Sequence, residues 1–473
     1  MVNESSVIVL VADGLTTQGL DVAIASGDVP ELAALRDISG LHVLTTVFPS
    51  VTGVAYVPML TGWHPADAGI PGLRWYDRSR RLARVLGHSR SYVGTQLRAI
   101  DDDLSPFTTT AFELARGKAL GSGSMITRGL RGDQQLDRGV RHAARVIHAH
   151  VTGSVARWAA LEQALADELI RRVRLERPRF VFASFTTGDK AMHAEGPRSR
   201  AARESLQLVD HVAASIRRDA ERDGRWRSMQ LWVVSDHGHS PVSQHHDIAI
   251  ELRRRGVRVR AHPWTFPDRS EAAVMVSGNS MAHVYLGLEA TSREYGPAFR
   301  AWGQRIGEWL SHPAIDLVAT RSGPSTVEVR RGPARAEITL ANGGISYRTT
   351  GGNPLGVEPF DEICFDEAHE RTAGTDYPDS VVQLAKLVLA ERSGDVVISA
   401  SPGWDLRQNY EPIDHVSSHG ALHAAHMLVP LVGNRCLADA PRRTADLYRL
   451  AANAIGRGQR LALHSTFAGT RSG

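Results

Sequence analysis

The stretch VIVLVAD, residues 7–13, is an unbroken apolar run that ends in an aspartate. Two later stretches share this design, RFVFASFTTGD at residues 179–189 and LWVVSD at residues 231–236. Strands that are apolar on both faces are typical of the centre of a parallel sheet that helices cover on both sides. Helical patterns at residues 155–178 and 202–224 separate the runs, and this alternation indicates an α/β fold. We therefore predict a mostly parallel central sheet sandwiched by helices.

The polar residues at the ends of these strands have the chemistry of metal ligands. The set contains aspartates and histidines at strand ends or in adjoining loops: Asp13, Asp189, His193, Asp236, His237 and His419. In an open α/β sheet, ligands bind beyond the carboxyl ends of the strands. Carboxylates and imidazoles are the usual ligands of zinc and manganese. Taken singly, such an aspartate is often a helix cap and such a histidine a packed residue, but the whole set at one sheet edge predicts a metal centre.

A second candidate for chemistry is Thr52, in the apolar segment TTVFPSVTGVAYVPMLTG at residues 45–62. Thr52 follows a turn at Pro49, and we expect it to open a helix, whose N-terminus favours an anionic oxygen. A divalent cation lowers the pKa of an oxygen that it binds, so a threonine could act as a nucleophile without a histidine base. The structural alternative is a helix N-cap. We interpret Thr52 as the nucleophile.

Several motifs occur in a fixed order along the chain. They are DG at 13–14, VFPSVTG at 47–53, LTGWHPADAGI at 60–70, GDKAMHAEGP at 188–197, SDHG at 235–238 and SHG at 418–420. Together they resemble the alkaline phosphatase superfamily, in its nucleotide pyrophosphatase/phosphodiesterase branch. The resemblance implies a two-metal hydrolase of phosphoric esters that works through a phosphothreonine intermediate. It also implies two ligand sets: Asp189, His193 and His419 for one ion, and Asp13, Thr52, Asp236 and His237 for the other.

One position departs from the pattern of that family. Leu73 stands where the family has an asparagine that binds a phosphoryl oxygen, and Arg74 follows it. The guanidinium group of an arginine can form two parallel hydrogen bonds to one phosphate, so we predict a substrate-binding role for Arg74. Alternatively, Arg74 is a surface residue stacked on Trp75. The departure leaves a monoester, a phosphonate or a sulfate ester open as substrate, although a formylglycine sulfatase is disfavoured because its CxPxR pattern is absent.

The remaining segments suggest how the chain is divided. Residues 78–150 are rich in Gly, Ser, Asp and Arg, and we expect loops and an irregular helical excursion over the site. The alternating stretch STVEVRRGPARAEITLANGGISYRTT predicts a β-meander in an inserted segment. We therefore predict a core at 1–255, an inserted decoration at 256–376 and a C-terminal part of the core at 377–473.

Composition restricts location and partners. The chain has 473 residues, a net charge of +4 and two cysteines, and its apolar runs are too short to span a bilayer. We expect a cytoplasmic enzyme without a disulfide framework or signal peptide. The expected cofactors are two divalent ions, zinc first and manganese as the alternative, and the expected partner is a small phosphate ester.

Nucleic acid is not an expected stable partner. The basic stretch MITRGLRGDQQLDRGVRHAARVIHAH lacks interleaved aromatic residues, which favours an exposed lid helix. The alternative outside enzymes is a phosphate-ligand or RNA-binding protein that retained the fold. The sequence makes no prediction of the oligomeric state.

Overall fold

The computed structural model describes residues 5–79, 89–262, 269–288, 311–406, 413–437 and 440–455. The strands are β1 Ser6–Ala12, β2 His42–Thr45, β3 Arg74–Tyr76, β4 Ser89–Ser91, β5 Ala119–Ser122, β6 Phe180–Phe185, β7 Met229–Val234, β8 Ser240–His245, β9 Val259–Ala261, β10 Ala272–Ser277, β11 Met281–Leu286, β12 Ile315–Arg321, β13 Thr326–Arg331, β14 Ala334–Ala341, β15 Gly344–Gly351, β16 Phe360–Ile363, β17 Val396–Ala400, β18 Gly403–Asp405, β19 Ser417–Ser418 and β20 Leu428–Gly433. The helices are α1 Thr17–Ala25, α2 Pro30–Ser39, α3 Tyr56–Thr61, α4 Ala99–Asp103, α5 Ala111–Leu114, α6 Val140–Val151, α7 Val155–Glu176, α8 Thr187–Glu195, α9 Arg200–Arg222, α10 Ile248–Arg254, α11 Phe365–Thr372, α12 Ser380–Leu389, α13 Ala424–Met427 and α14 Asp446–Ala454.

The central sheet has the strand order β2-β20-β7-β1-β6-β5. Strands β7, β1, β6 and β5 are parallel to one another, whereas β20 and β2 add an antiparallel edge. The sheet lies between helices, so the predicted α/β class with a mostly parallel core sheet is confirmed. The three strands that carry the apolar run ending in aspartate, β7, β1 and β6, are direct neighbours.

The apolar runs are continuous because both faces of this sheet are covered. Val7, Val9 and Val11 of β1 face a core to which α3, α5 and α14 contribute. Ile8 and Leu10 face the opposite core, where α1, α2, α7 and α9 pack. Full burial of each such side chain contributes about 1.5–3 kcal/mol to folding. Strand β1 is therefore held from both sides, and the residue that follows it is fixed in position.

A second sheet has the order β16-β15-β14-β13-β12-β17-β11-β10-β9. Strands β13, β14 and β15 form the expected antiparallel meander. Its second turn contains Asn342 and Gly343 with φ of 51° and 82°, the left-handed pair that a tight hairpin turn needs. Strand β17 lies inside this sheet, between β12 and β11. The sheet therefore extends past residue 376, where the sequence suggested that the insertion ends, and the three-part division stays a prediction.

The excursion expected at residues 78–150 is only partly irregular, and residues 80–88 lie outside the described range. Strand β5 belongs to the central sheet and pairs with β6 in parallel. Its sequence, ALGS, is too short and too rich in small residues to stand out as a strand. None of the helices in the described part of the chain combines the length and apolarity that crossing a bilayer requires.

Candidate metal centre and nucleophile

The three strand-end aspartates meet at one edge of the central sheet, and all three are buried. Asp13 directly follows β1, Asp236 follows β7, and Asp189 lies in the first turn of α8, which follows β6. The backbone N–H of Gly14 donates to Asp236 Oδ1 at 3.3 Å and links two of these strand ends. Gly14 has a φ of 77°, a left-handed conformation that favours glycine at this turn.

Three imidazoles surround one oxygen of Asp189. The Nε2 atoms of His193, His239 and His419 lie 3.2, 3.2 and 3.4 Å from Asp189 Oδ1. Ligand atoms that are bound about 2.1 Å from one ion at the corners of a tetrahedron are ~3.4 Å apart. The spacing of these atoms is therefore that of ligands around a shared ion. We call these four residues the Asp189 group.

Hydrogen bonds fix which ring nitrogen carries the proton. His193 Nδ1 lies 2.8 Å from Ser417 O, and His419 Nδ1 lies 3.0 Å from Ser50 O. A backbone carbonyl can only accept, so Nδ1–H donates and Nε2 keeps its lone pair. The Nε2 lone pairs then face a carboxylate oxygen with no proton between them. A cation resolves this repulsion, and carbonyl partners that orient a histidine are typical around bound metals.

A second group forms around His237, whose Nδ1 lies 3.0 Å from Gly238 O. Its Nε2 lies 3.3 Å from Asp13 Oδ1, 3.5 Å from Asp236 Oδ2 and 3.0 Å from Thr52 Oγ1. Asp236 Oδ2 is buried and has no hydrogen-bond partner among the described residues. Nitrogen, carboxylate and hydroxyl donors of this kind suit a second divalent ion. We call Asp13, Thr52, Asp236 and His237 the Thr52 group.

The expectation that Thr52 opens a helix is wrong. Helix α3 begins at Tyr56, its N-cap is Ala55, and the residues before it form turns. Gly53 has a φ of 84°, which a helix does not allow. The Thr52 hydroxyl instead donates to Asp13 Oδ1 at 3.2 Å and also approaches His237. Thr52 is therefore free of a capping role, and its oxygen lies within the Thr52 group.

Electrostatics in the centre favour a bound cation. Burial raises the pKa of Asp13 well above its usual range, and the charges of Asp236 and Asp189 raise it further. Burial and Asp189 raise the pKa of Asp236 to about 7. Burial also opposes ionisation of Asp189, but Lys190 and His193 outweigh it and hold the pKa of Asp189 well below its usual range. The aspartates thus repel one another, and a divalent cation would relieve that repulsion.

Burial favours the neutral form, which metal binding requires, in three histidines of the centre: His237, His239 and His419. Burial lowers the pKa of both His237 and His239 to about 3. Burial, followed by the neighbouring His237, lowers the pKa of His419 well below its usual range. Neutral imidazoles keep the lone pair that binds a metal.

Arg74 is the first residue of β3 and lies beside β10. It is buried on β3, and its Nη1 donates to Val276 O at 3.4 Å. The preceding residue, Leu73, donates its N–H to Ser277 Oγ at 2.7 Å. Burial and the charge of Arg74 lower the pKa of His262 to about 3. The alternative of a surface arginine is therefore wrong, whereas a role in substrate binding stays a prediction.

Sequence reasoning missed two residues of the centre. His239 joins the Asp189 group, although from the sequence it was only a histidine trailing the SDHG motif. Lys190 donates to Asp189 Oδ2 at 2.8 Å, and its side chain is 36% exposed. Its position next to Asp189 was the only available signal. By contrast, His426 supports a loop, since its Nδ1 accepts from the Ala421 N–H at 3.0 Å and its Nε2 contacts Ser240.

Comparisons with known proteins agree with this geometry. The chain matches phosphonoacetate hydrolase from Sinorhizobium meliloti 1021, in complex with phosphonoacetate, with a TM-score of 0.57 at 17% identity over 96% of both chains. It matches murine ectonucleotide pyrophosphatase/phosphodiesterase 5, in complex with AMP, with a TM-score of 0.55 at 15% identity over 96% of this chain and 95% of that one. For the human protein of the same name the TM-score is 0.56 at 13% identity, over 95% and 94% of the two chains.

At these identities the structural matches establish the fold alone. No curated protein sequence gives a significant match. The family model of type I phosphodiesterase/nucleotide pyrophosphatase matches residues 7–302, more than half of the chain. The matched region contains Asp13, Thr52, Asp189 and Asp236. The chain therefore belongs to the type I phosphodiesterase/nucleotide pyrophosphatase family.

Proposed function

We propose that this protein is a two-metal-ion hydrolase of phosphoric esters, of the phosphodiesterase or nucleotide pyrophosphatase type, with Thr52 as its nucleophile. The observation that carries the proposal is the position of the Thr52 hydroxyl, 3.0 Å from His237 Nε2 and 3.2 Å from Asp13 Oδ1. A threonine hydroxyl among potential metal-ligand atoms supports a role as nucleophile more than a structural role.

Each group in the centre then has a defined task. When bound, the divalent ions supply charge stabilisation at the phosphoryl oxygens and lower the pKa of the Thr52 hydroxyl. Thr52 Oγ1 forms a bond to phosphorus while the bond from phosphorus to the leaving oxygen breaks. Water then attacks the phosphothreonine, and the Thr52 hydroxyl is restored as phosphate or a phosphomonoester is released. Asp13 and His237 hold the Thr52 oxygen in place through both steps.

The metals that we propose are zinc first and manganese second. The Asp189 group offers one carboxylate and three imidazoles, and the Thr52 group offers two carboxylates, one imidazole and one hydroxyl. Both sets suit either ion. We keep the cytoplasm as the proposed location because the chain has only two cysteines, which suits a reducing compartment.

A phosphonate hydrolase is the second candidate, and two observations favour it. Leu73 replaces the asparagine that the family pattern has at this point, which changes the surroundings expected for the phosphoryl oxygens. Lys190 brings a partly exposed ammonium group to the centre, where it could bind a second anionic group of a substrate. One of the structural neighbours holds phosphonoacetate, a phosphonate with a carboxylate.

One assay series tests the function and ranks the candidates. Metal-loaded protein would be assayed with bis-p-nitrophenyl phosphate, p-nitrophenyl phosphate, a p-nitrophenyl phosphonate ester and p-nitrophenyl sulfate, with Thr52→Ala as the control variant. We expect the diester to give the highest kcat/KM. A preference for the phosphonate, the monoester or the sulfate would select that alternative instead. No turnover of any substrate at any metal loading would favour a binding protein that retained the fold.

A further inference from the structure

His239 has the position of a metal ligand without belonging to the ligand sets that the sequence motifs imply. Its side chain is fully buried, and its Nε2 lies 3.2 Å from Asp189 Oδ1, the same distance as the Nε2 of His193. The potential ligand atoms of Asp189, His193, His239 and His419 all lie within 4.8 Å of one another. In distance and burial, His239 is therefore equivalent to the two expected histidines.

Ser417 determines which nitrogen of His239 faces the centre. The Ser417 hydroxyl donates to Ser240 O at 2.9 Å, and Ser417 Oγ also lies 2.6 Å from His239 Nδ1. The single proton of the hydroxyl is engaged with a carbonyl, so the oxygen accepts from His239 Nδ1–H. His239 Nε2 then presents its lone pair to Asp189. Ser417 also orients His193 through its backbone carbonyl.

We propose that His239 is a fourth protein ligand of the ion that Asp189, His193 and His419 hold. The inference rests on the two-metal centre of the proposed function. Four protein ligands fill a tetrahedral ion, which is the arrangement of closed zinc sites, whereas catalytic zinc sites keep a position open. The ion of the Asp189 group then contacts substrate only by expanding beyond four ligands. The Thr52 group also offers four donors, but one of them is the hydroxyl of the proposed nucleophile.

Zinc affinity tests the proposal without measuring turnover. Metal-free protein would be titrated with Zn²⁺ against a chromophoric chelator for wild type, His239→Ala and the control His245→Ala. His245 is the last residue of strand β8, which begins directly after His239, and its Nδ1 lies 2.7 Å from Asp405 Oδ1, outside the centre. We expect His239→Ala to weaken one of two zinc sites at least about 100-fold, since even partners of ligands change affinity by 10–100-fold. The other site and the control should be unchanged.

A second variant covers the case in which His239→Ala does not fold. Ser417→Ala removes only the hydroxyl that orients His239 and keeps the carbonyl that serves His193, so we expect one zinc site to weaken by about 10-fold or more. Wild-type affinities at both sites in folded His239→Ala would overturn the proposal, and so would wild-type affinities in Ser417→Ala if His239→Ala is unfolded. A wild type that binds no zinc or manganese would instead refute the two-metal function itself.

Discussion

Replacement of Thr52 separates a catalytic from a structural role, because the two roles predict effects of different size on different quantities. In Thr52→Ala the hydroxyl that contacts Asp13 and His237 is lost. Each lost hydrogen bond costs about 1 kcal/mol, so the free energy of unfolding should fall by no more than ~2 kcal/mol. For a chain of this size the melting temperature should drop by less than about 8 °C.

The catalytic effect should be far larger. Loss of a covalent nucleophile removes the whole two-step path, and single losses of this kind lower kcat by about 10⁴-fold or more. A 10⁴-fold loss corresponds to ~5.5 kcal/mol of activation free energy, which is more than twice the largest structural cost expected. Thr52→Ser keeps the oxygen and loses one methyl group, worth about 0.8 kcal/mol of burial, so it should retain measurable turnover.

The measurement combines steady-state kinetics on the diester with thermal unfolding and metal analysis of each variant. Acid quenching of the wild-type reaction should trap a phosphoryl group on the peptide VFPSVTGVAY, which mass spectrometry would detect on Thr52. Thr52→Ala that is folded, metal-loaded and within tenfold of wild-type kcat would refute the reasoning and move the nucleophile to water. Equal losses in Thr52→Ala and Thr52→Ser would indicate that the methyl group matters, not the hydroxyl.

Three further predictions concern the metal content, the role of Arg74 and the buried carboxyl group of Glu162. Elemental analysis should find close to two divalent ions per chain, and chelation should abolish hydrolysis; full activity after complete stripping of the metals would contradict the two-metal proposal. Arg74→Ala should lower kcat/KM by the equivalent of ~2–4 kcal/mol if its fork holds a phosphoryl oxygen, and Leu73→Asn should raise diesterase activity; a lower melting temperature with kcat/KM within threefold of wild type would make Arg74 structural. Burial raises the pKa of Glu162 from its ordinary 4.5 to about 7, so its contribution to the free energy of unfolding should fall by ~3 kcal/mol as pH rises from 4.5 through 7. In urea titrations, the free energy of unfolding of Glu162→Gln should rise by that amount relative to wild type between pH 4.5 and 8. A difference between the two proteins that does not change with pH would mean that Glu162 has an ordinary pKa.

The fold class was predictable because its signal is local. A strand covered on both faces must be apolar at every position, and VIVLVAD, FVFASF and LWVV all meet that condition. The strand order was not predictable from this signal, since it depends on which strands pair over long distances. The pairing of β1 with both β6 and β7 is nevertheless what brings Asp13, Asp189 and Asp236 together.

Strand β17 shows why the sheet to which a strand belongs could not be predicted from the sequence. Its sequence, VVISA, is as apolar as the core strands, and all five residues are buried. A buried strand has the same composition in either sheet, so from the sequence we assigned β17 to the C-terminal part of the predicted core. Its partners β11 and β12 lie far away along the chain. Here tertiary pairing, not local pattern, determines membership of a sheet.

The proposed metal ligands also differ in how far the sequence could predict them. Those inside compact motifs, such as Asp189 with His193, could be chosen because four residues form one helical turn and place both side chains on one face. His239 could not be chosen, because the group that orients it, the Ser417 hydroxyl, comes from a segment 178 residues away. The N-terminus of α3 was misplaced for a local reason instead: Gly53, with its positive φ, delays the helix to Tyr56.

The electrostatic cost of bringing these carboxylates together is also the source of the metal affinity that we propose for the centre. Asp13 and Asp236 are buried beside Asp189 and one another, and each has a raised pKa because ionisation is unfavourable there. The apolar strands β1, β6 and β7 hold the three carboxylates in place from both faces of the sheet, so the groups cannot separate to relieve the repulsion. The divalent cations that we propose would remove this repulsion, so the free energy lost in holding the carboxylates together would be recovered when the ions bind. A rigid core of this kind and a reactive centre are therefore two consequences of the same apolar runs that end in aspartate.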